Sequence, residues 1–393
     1  MIVRALRLRN FRNYPAQEVL FPSGLVALTG DNGQGKTNLL EALCVLATTK
    51  SPLVDRDREL MRWNERDTRL AAEITLSAGG RADERVLELG WRVENVDSPR
   101  ATVQRDLRIS GVPQSALSSW LGQMQVVAFF PHDLAIIAGE PDGRRRFLNL
   151  ELGKSRPAHF ADMARYRRAL QQRNALLKHL SESRFRGRAP MGNAAEGLGT
   201  LGEWNKQVVT YGARVLSQRA SFLSELAPIL ASTHRELSGR DETLNIEYSS
   251  GVNVSARGAE VVEGWSGLFS QSLERNHEND LRRGTTLSGP HRDDLIFRLG
   301  EMDLRRYGSQ GQQRLAVLAL KVALARWVAV VTNEPPILLL DDALSELDAT
   351  RRKRLLEQAN GFAQSVLTAT DLKLLEDTAP TVFRVESGKV ETI

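Results

Sequence analysis

The chain has 393 residues, with 53 Lys+Arg against 48 Asp+Glu for a formal net charge of +5. That length suits two or three domains with substantial cores, and 41% hydrophobic with 26% charged residues fits a globular protein and excludes long disorder. The single cysteine, Cys44, excludes a disulfide scaffold or a Cys-based zinc ribbon and fits a reducing compartment.

No run of about 18 apolar residues occurs. The most apolar stretch, 315–331, contains Lys321, Arg326 and Trp327 and reads as a core helix. The opening MIVRALRLRNF spreads arginines where a signal peptide needs an apolar stretch. A cytoplasmic protein, not embedded in a membrane, is expected. Residues 141–240 hold 18 Lys+Arg against 8 Asp+Glu, so the rest of the chain is net negative. Such asymmetry suggests a segment facing a polyanion such as nucleic acid. A plain arginine bias competes with that reading, since the chain has 44 arginines and 9 lysines.

In chain order, residues 3–8 alternate as a strand, 10–15 form a turn and 17–21 form a second strand. Residues 25–29 are a short apolar strand, followed by a Gly-rich loop and a helix over 37–46. Segments 70–76, 84–92, 101–109 and 126–130 continue the β-rich region. Residues 144–182 and 203–237 then read as two long helices, joined by a Gly-rich tip at 187–202 that looks like an insertion. In the second, Trp204, Val208, Tyr211, Val215, Phe222 and Leu226 form a seam for an antiparallel partner. In the first, Arg167 and Asn174 interrupt the corresponding stripe. The pair makes a hairpin of about 40–50 Å at the helical rise. From 285 the chain returns to strands, then a helix at 312–328, an apolar strand at 337–340, a helix at 344–360 and closing strands at 365–368 and 382–385. The expected α/β layout is a head made from both chain ends, 1–130 and 285–393, with a helical lobe at 131–284.

The segment Gly30-Asp31-Asn32-Gly33-Gln34-Gly35-Lys36-Thr37 is a complete phosphate loop between a strand and a helix. Its backbone N–H groups and the helix N-terminus suit phosphate oxygens, while Gly33 and Gly35 permit close approach. Lys36 is placed on the β- and γ-phosphates of ATP, and Thr37 on Mg²⁺, with Asn38 completing the binding segment. Asp341 ends the apolar strand and is the second Mg²⁺ candidate. Asp342 follows as the residue that orients or activates water, with a helix cap as its bland alternative.

Tyr307–Arg314 alone reads as a helix N-cap with glycines. Together with the other motifs it resembles the signature segment of ATP-binding-cassette ATPases. That resemblance places Ser309, Gly311 and Gln312 on a nucleotide held by another subunit. Ser345–Asp348 resembles the D-loop of the same class. These elements fall in the chain order of the class.

At finer grain, RNFRNY (9–14), GDNGQGKTNLLEAL (30–43), FFPHDL (129–134), RRRFLN (144–149), QQRNALLK (171–178), LSGPHRDDL (287–295), YGSQGQQR (307–314) and LLLDDALSELD (338–348) resemble the RecF family nearly end to end. The resemblance implies an ABC-type, SMC-like ATPase head with an inserted helical lobe. It implies ATP-driven homodimerisation on DNA and slow hydrolysis. It also implies work with RecO and RecR in loading RecA at single-strand gaps, with a link to replication and the SOS response. Alternatives are an ABC transporter ATPase, a structural chromosome protein of SMC type, and a P-loop GTPase or small-molecule kinase.

Three departures from the ABC class stand out. Asp342 replaces the usual Glu, and Thr370 stands where a switch His is usual. Pro131-His132-Asp133 occupies the region of the lobe-crossing Gln. Two sites stay open on the residues alone: Arg12 as a phosphate contact or a surface arginine, and Arg144–Arg146 as a DNA contact or a solvated face. His291 reads as a turn-stabilising side chain rather than a metal ligand, because no partner has ligand spacing.

Overall fold

The structure is a computed structural model and describes all residues except 77–82, 95–101, 186–193, 253–261 and 376–377. The chain begins with strands β1 (Ile2–Phe11), β2 (Tyr14–Leu20) and β3 (Gly24–Thr29), then helix α1 (Lys36–Thr48). Strands β4 (Asp67–Leu76), β5 (Asp83–Glu94), β6 (Thr102–Ile109) and β7 (Val112–Pro113), helix α2 (Leu117–Trp120) and β8 (Val126–Phe129) follow. Next come α3 (Ala135–Ala138), α4 (Pro141–Ser155), α5 (Ala158–Phe185), α6 (Ala194–Ser238), β9 (Leu244–Ser249) and α7 (Val262–Arg283). The remainder is β10 (Asp294–Leu299), β11 (Met302–Asp303), α8 (Leu304–Tyr307), α9 (Gln310–Thr332), β12 (Ile337–Leu340), α10 (Ala349–Asn360), β13 (Gln364–Ala369), β14 (Thr381–Glu386) and β15 (Lys389–Thr392).

Two compact units result. One comprises Met1–Leu134, Ile229–Thr243 and Ser309–Ile393; the other comprises Ala135–Pro228 and Leu244–Gly308. The division differs from the expected boundaries at 131 and 285. Residues 285–308 stay with the second unit because β10 pairs with β9, and the chain passes between units at Pro228, inside α6.

The first unit holds two six-stranded sheets. One is antiparallel in the order β2-β1-β4-β5-β6-β7, and the other runs β15-β14-β3-β13-β12-β8. In the second, β14, β3, β13, β12 and β8 are parallel, and only β15 is antiparallel. Strands β12 and β13 are buried at every residue, which is why β12 reads as an unbroken apolar run. Helix α1 packs against strands of both sheets, and a shared apolar core joins them through Leu39, Leu43, Val26, Leu339, Leu70 and Trp91. The apolar stretch at 315–331 lies in α9, which is long and apolar enough to cross a membrane by composition but is mostly buried inside this unit.

In the second unit, α5, α6 and α7 share a core of Tyr166, Ala169, Val208, Leu216, Trp265 and Phe269. The expected single helix at 144–182 is two helices, α4 and α5. Pro157 disfavours helical backbone at Arg156, so α4 stops there. Helix α6 begins at Ala194 rather than 203; residues 187–193 of the expected Gly-rich tip lie outside the described residues. Helix α7, absent from the sequence reading, supplies Trp265, Phe269 and Leu273 to this core.

The charge excess at 141–240 is partly internal. Arg144 is 1% exposed and pairs with Asp294 (Nε–Oδ1 2.5 Å). Arg173 pairs with Asp280 at 2.8 Å, and Arg219 pairs with Asp293, all buried. Arg145 donates to the Asp293 carbonyl at 2.9 Å, leaving Arg146 as the exposed member of its triplet. Arg144 is therefore neither a DNA contact nor a solvated face: it is an internal ion pair. His291 accepts or donates at Tyr166 Oη (2.6 Å) and donates to the Thr286 carbonyl (3.0 Å), the turn-stabilising role expected of it.

Candidate nucleotide site

Strands β3, β13 and β12 lie side by side and parallel, so their C-terminal ends share one edge. The chain leaves β3 into the loop 30–35, which requires unusual backbone. Gly30, Gly33 and Gly35 have φ of 139°, 80° and 115°. A Cβ on Gly35 would lie 2.6 Å from Asn13 Nδ2 and 2.7 Å from Tyr14 Oη, and one on Gly30 would strike the Val385 carbonyl.

Two hairpin turns hold this loop. From the β1–β2 turn, Asn13 Nδ2 donates to the Gln34 carbonyl at 2.9 Å and Tyr14 Oη to the Gly35 carbonyl at 3.0 Å. Asn38 Nδ2 donates to Asn13 Oδ1 at 2.8 Å, which ties α1 to the same turn. From the β14–β15 turn, Ser387 N donates to Gln34 Oε1 at 2.7 Å. Asp31, Asn32 and Gly33 remain exposed at the loop's tip.

Lys36 opens α1 and folds back over the loop, its Nζ donating to the carbonyls of Gly30 (2.5 Å) and Asp31 (2.8 Å). Burial pulls its pKa below the ordinary lysine value, against the opposing pull of Asp341, Asp31 and Asp342. Thr37 Oγ1 lies 3.0 Å from each carboxylate oxygen of Asp341. Burial pushes the Asp341 pKa up, against the hydrogen bonds from Thr368 and Thr37. A threonine hydroxyl and a carboxylate side by side at the base of a phosphate loop fit Mg²⁺, which takes few protein ligands and fills its sphere with phosphate and water. No group of three or more His, Cys, Asp or Glu suited to a metal exists among the described residues.

Asp342 has φ 49° and an exposed side chain. No helix begins there; α10 begins at Ala349 and is capped by Asp348, whose Oδ1 accepts from Arg351 N at 2.9 Å. The cap alternative for Asp342 therefore fails. Its peptide is pinned at both ends: the N–H donates to Thr368 Oγ1 at 2.8 Å, and the carbonyl accepts from the Arg314 guanidinium. Arg314 is 3% exposed, also pairs with Glu346 at 3.1 Å, and lies over the Phe129 ring.

Ser309 caps α9 in a reciprocal box. Its Oγ accepts from Gln312 N at 3.3 Å, while Gln312 Oε1 accepts from Ser309 N at 2.9 Å. Ser309, Gln310 and Gly311 are exposed, and a Cβ at Gly311 would meet nothing within 4 Å. The capping role and an exposed helix N-terminus thus coexist in the same residues.

Arg12 is engaged elsewhere. Its guanidinium forms two hydrogen bonds to the fully buried Glu41, at 2.7 and 2.5 Å, and a third to the Glu59 carbonyl at 2.7 Å. Asp133 accepts from Phe130 N at 2.8 Å and pairs with Lys321 at 3.0 Å, and His132 stacks on Phe130. Thr370 is exposed beyond the end of β13. Sequence reading passed over Thr368, Asn13, Tyr14 and Arg314. Each lies inside a segment that drew notice, but their roles depend on which strands and turns become neighbours.

The chain matches the RecF/RecN/SMC N terminal domain family over residues 2–391. It is 35% identical over 393 residues to the DNA replication and repair protein RecF of Streptococcus gordonii, covering all of both chains. To the protein of the same name from Synechococcus sp. it is 36% identical over 395 residues, covering 99% of this chain and 97% of the relative. Its fold is similar to that of the recombination mediator protein RecF-ATP in the RecFOR pathway, with a TM-score of 0.83, 28% identity and coverage of 100% and 97%. The Smc head domain of Pyrococcus furiosus, 14% identical, has a TM-score of 0.54 with coverage of 100% and 95%, a likeness of fold alone. The architecture is that of an ABC-type, SMC-like ATPase head.

Proposed function

This chain belongs to the RecF family, and from that premise we propose that it is an ATP-dependent DNA-binding ATPase of recombinational repair and replication. The observation that carries the reading is the meeting of Lys36, Thr37 and Asp341 at one edge of three adjacent parallel strands, with Asp342 beside them. The first unit is the head, and the second is the helical lobe. The relatives are repair proteins, and the transporter alternative finds no support among them.

On binding ATP, Lys36 exchanges two loop carbonyls for β- and γ-phosphate oxygens. Thr37 and Asp341 would hold Mg²⁺, which when bound would screen the phosphate charge. Asp342 orients the attacking water, and Arg314 and Thr368 fix its backbone. Ser309 in its capping box uses only lone pairs of the hydroxyl oxygen, so the hydroxyl proton stays available to a phosphate. Ser309, Gly311 and Gln312 of a second copy close over the γ-phosphate, so ATP adds contacts only in a closed dimer. Hydrolysis is weak and DNA-stimulated, and it reopens the dimer. The cycle times residence on DNA at single-strand gaps, where RecO and RecR assist RecA loading and SOS induction follows. The working location is the nucleoid-associated cytoplasm.

The test is solution mass with and without ATP, and with and without DNA. The wild-type chain is expected to double in mass with ATP, and Lys36→Met to remain a monomer. Asp342→Asn should bind ATP and accumulate as the dimer, because the amide keeps the shape and loses the charge. A mass independent of ATP under every condition would overturn the reading.

A further inference from the structure

The outer face of the β1–β4–β5 sheet carries a charge imbalance that the nucleotide site does not use. At one end of this face Arg7 is neutralised by Glu18 and Glu73, each at 2.7 Å. Two residues further along β1, Arg9 has no carboxylate partner among the described residues, and neither do Arg66, Arg69 or Arg92. These four guanidinium groups, with Asp67 as the one carboxylate, line an open concavity of about 470 Å³. Register sets Arg9 directly opposite Arg69, two like charges, while Asp67 is opposite Arg92. Direct cross-strand pairing of like charges costs stability. Bare neighbours widen the space, since Arg9 faces Ala16 on β2 and Arg69 faces Gly90 on β5.

Three residues before Arg66 of the concavity comes Trp63, 90% exposed. It sits on a tight turn closed by Glu65 N donating to the Arg62 carbonyl at 3.1 Å, with Asn64 at φ 66°. The turn is tied down on both sides. Arg62 N donates to the Asn10 carbonyl at 2.8 Å, and the Arg66 carbonyl accepts from Val93 N at 2.9 Å. Asn10 Nδ2 also holds Glu65 at 3.2 Å, which keeps that carboxylate engaged. A fixed turn therefore presents a solvent-exposed indole three residues from an arginine of the concavity. An exposed indole on a turn tied to the chain next to Arg9 and Arg92 suits a ligand with both a flat apolar face and phosphates.

We infer that this face binds single-stranded nucleic acid, with an unpaired base stacked on Trp63 and the flanking phosphates over Arg9, Arg66, Arg69 and Arg92. The volume suits one nucleotide, and a duplex hides the base faces that an indole stacks on. The inference rests on the reading that the chain binds DNA, and it names the strand state and the residues.

The probe is a fluorescein-labelled oligothymidylate of about 15 nucleotides, compared with a duplex of the same length, both without ATP. Trp63→Ala should weaken oligothymidylate binding about ten-fold, with Trp63→Phe retaining most of it, and leave the duplex within about two-fold. Arg9→Ala with Arg69→Ala should flatten the salt dependence by about 1.4 in the log–log slope, two phosphate contacts' worth. ATP titration of each variant should match wild type, which shows that the fold is intact. Unchanged oligothymidylate binding by the variants, or equal losses for single strand and duplex, overturns this inference alone. A wild-type chain that binds neither probe without ATP overturns this inference, and one that binds neither with ATP added overturns the DNA-binding reading as well.

Discussion

The Thr368 hydroxyl donates to Asp341 Oδ1 at 2.9 Å and accepts from Asp342 N at 2.8 Å. One side chain on β13 thus fixes both consecutive carboxylate residues at the end of β12. Thr368→Val removes the hydroxyl and leaves a buried carboxylate oxygen and a backbone N–H without this partner. The expected result is a loss of about 1–3 kcal/mol in stability and a fall in hydrolysis rate that exceeds the fall in nucleotide affinity. Denaturant unfolding together with separate kcat and Kd measurements checks it. An equal fall in both kinetic and binding constants would refute the positioning role.

Gly35→Ala should cost more than Gly33→Ala. Both residues have left-handed φ, but only at Gly35 does the new methyl meet atoms, those of Asn13 and Tyr14 at under 3 Å. The left-handed backbone alone costs about 1–3 kcal/mol, and the collision adds to it. Nucleotide titration and thermal unfolding of both variants give the ranking, and the reverse order would contradict the loop anchoring described above.

Ser309→Arg should leave ATP binding to the monomer intact and abolish ATP-dependent dimers. Ser309 is exposed, so the longer side chain fits in the monomer but places a cation at a helix N-terminus, where the dipole disfavours it. Loss of the capping box costs about 1 kcal/mol. Sedimentation alongside nucleotide titration separates the outcomes, and retained dimers would show that closure uses another surface.

Acid should loosen the second unit before the carboxylates titrate. Burial lowers the pKa of His159 and of His291 from 6.5 to about 4. A histidine with a depressed folded pKa takes up its proton more readily when unfolded. Its stabilising contribution is therefore whole above pH about 6.5 and is lost progressively down to about 4, at about 1.4 kcal/mol per pH unit for each ring. The buried acids Asp293 and Asp341 have raised pKa values and act in the opposite sense. Thermal unfolding between pH 7 and 5 should show the decline, and His159→Asn should flatten it. A slope unchanged in that variant would remove His159 from the account.

The residues legible in the sequence were those whose signal is local. The phosphate loop and Asp341 each sit at the end of an apolar strand within a few residues of the motif that marks them. Thr368 was not legible, because its role comes from the pairing of β12 with β13, and the neighbouring Thr370 drew the notice instead. The same limit applies to Arg144, which reads as part of a basic run until Asp294, 150 residues later, is found beside it. The polar interruption at Asn174 likewise has its partner far away, in Thr286 at 2.8 Å.

The strand order β14-β3-β13-β12-β8 has a consequence for synthesis. Strand β3 appears within the first 29 residues, yet both of its neighbours lie beyond residue 363. While the ribosome is at work, β3 and the loop after it have no sheet to join, and α9 emerges before β12 is available to cover it. The head therefore closes only once almost the whole polypeptide has emerged, and a chain cut short before β13 lacks the strand that joins β3 to β12, so the phosphate loop and Asp341 are not brought together. Such fragments are natural clients for chaperones and proteases, so truncation here removes the protein rather than leaving a partly working one.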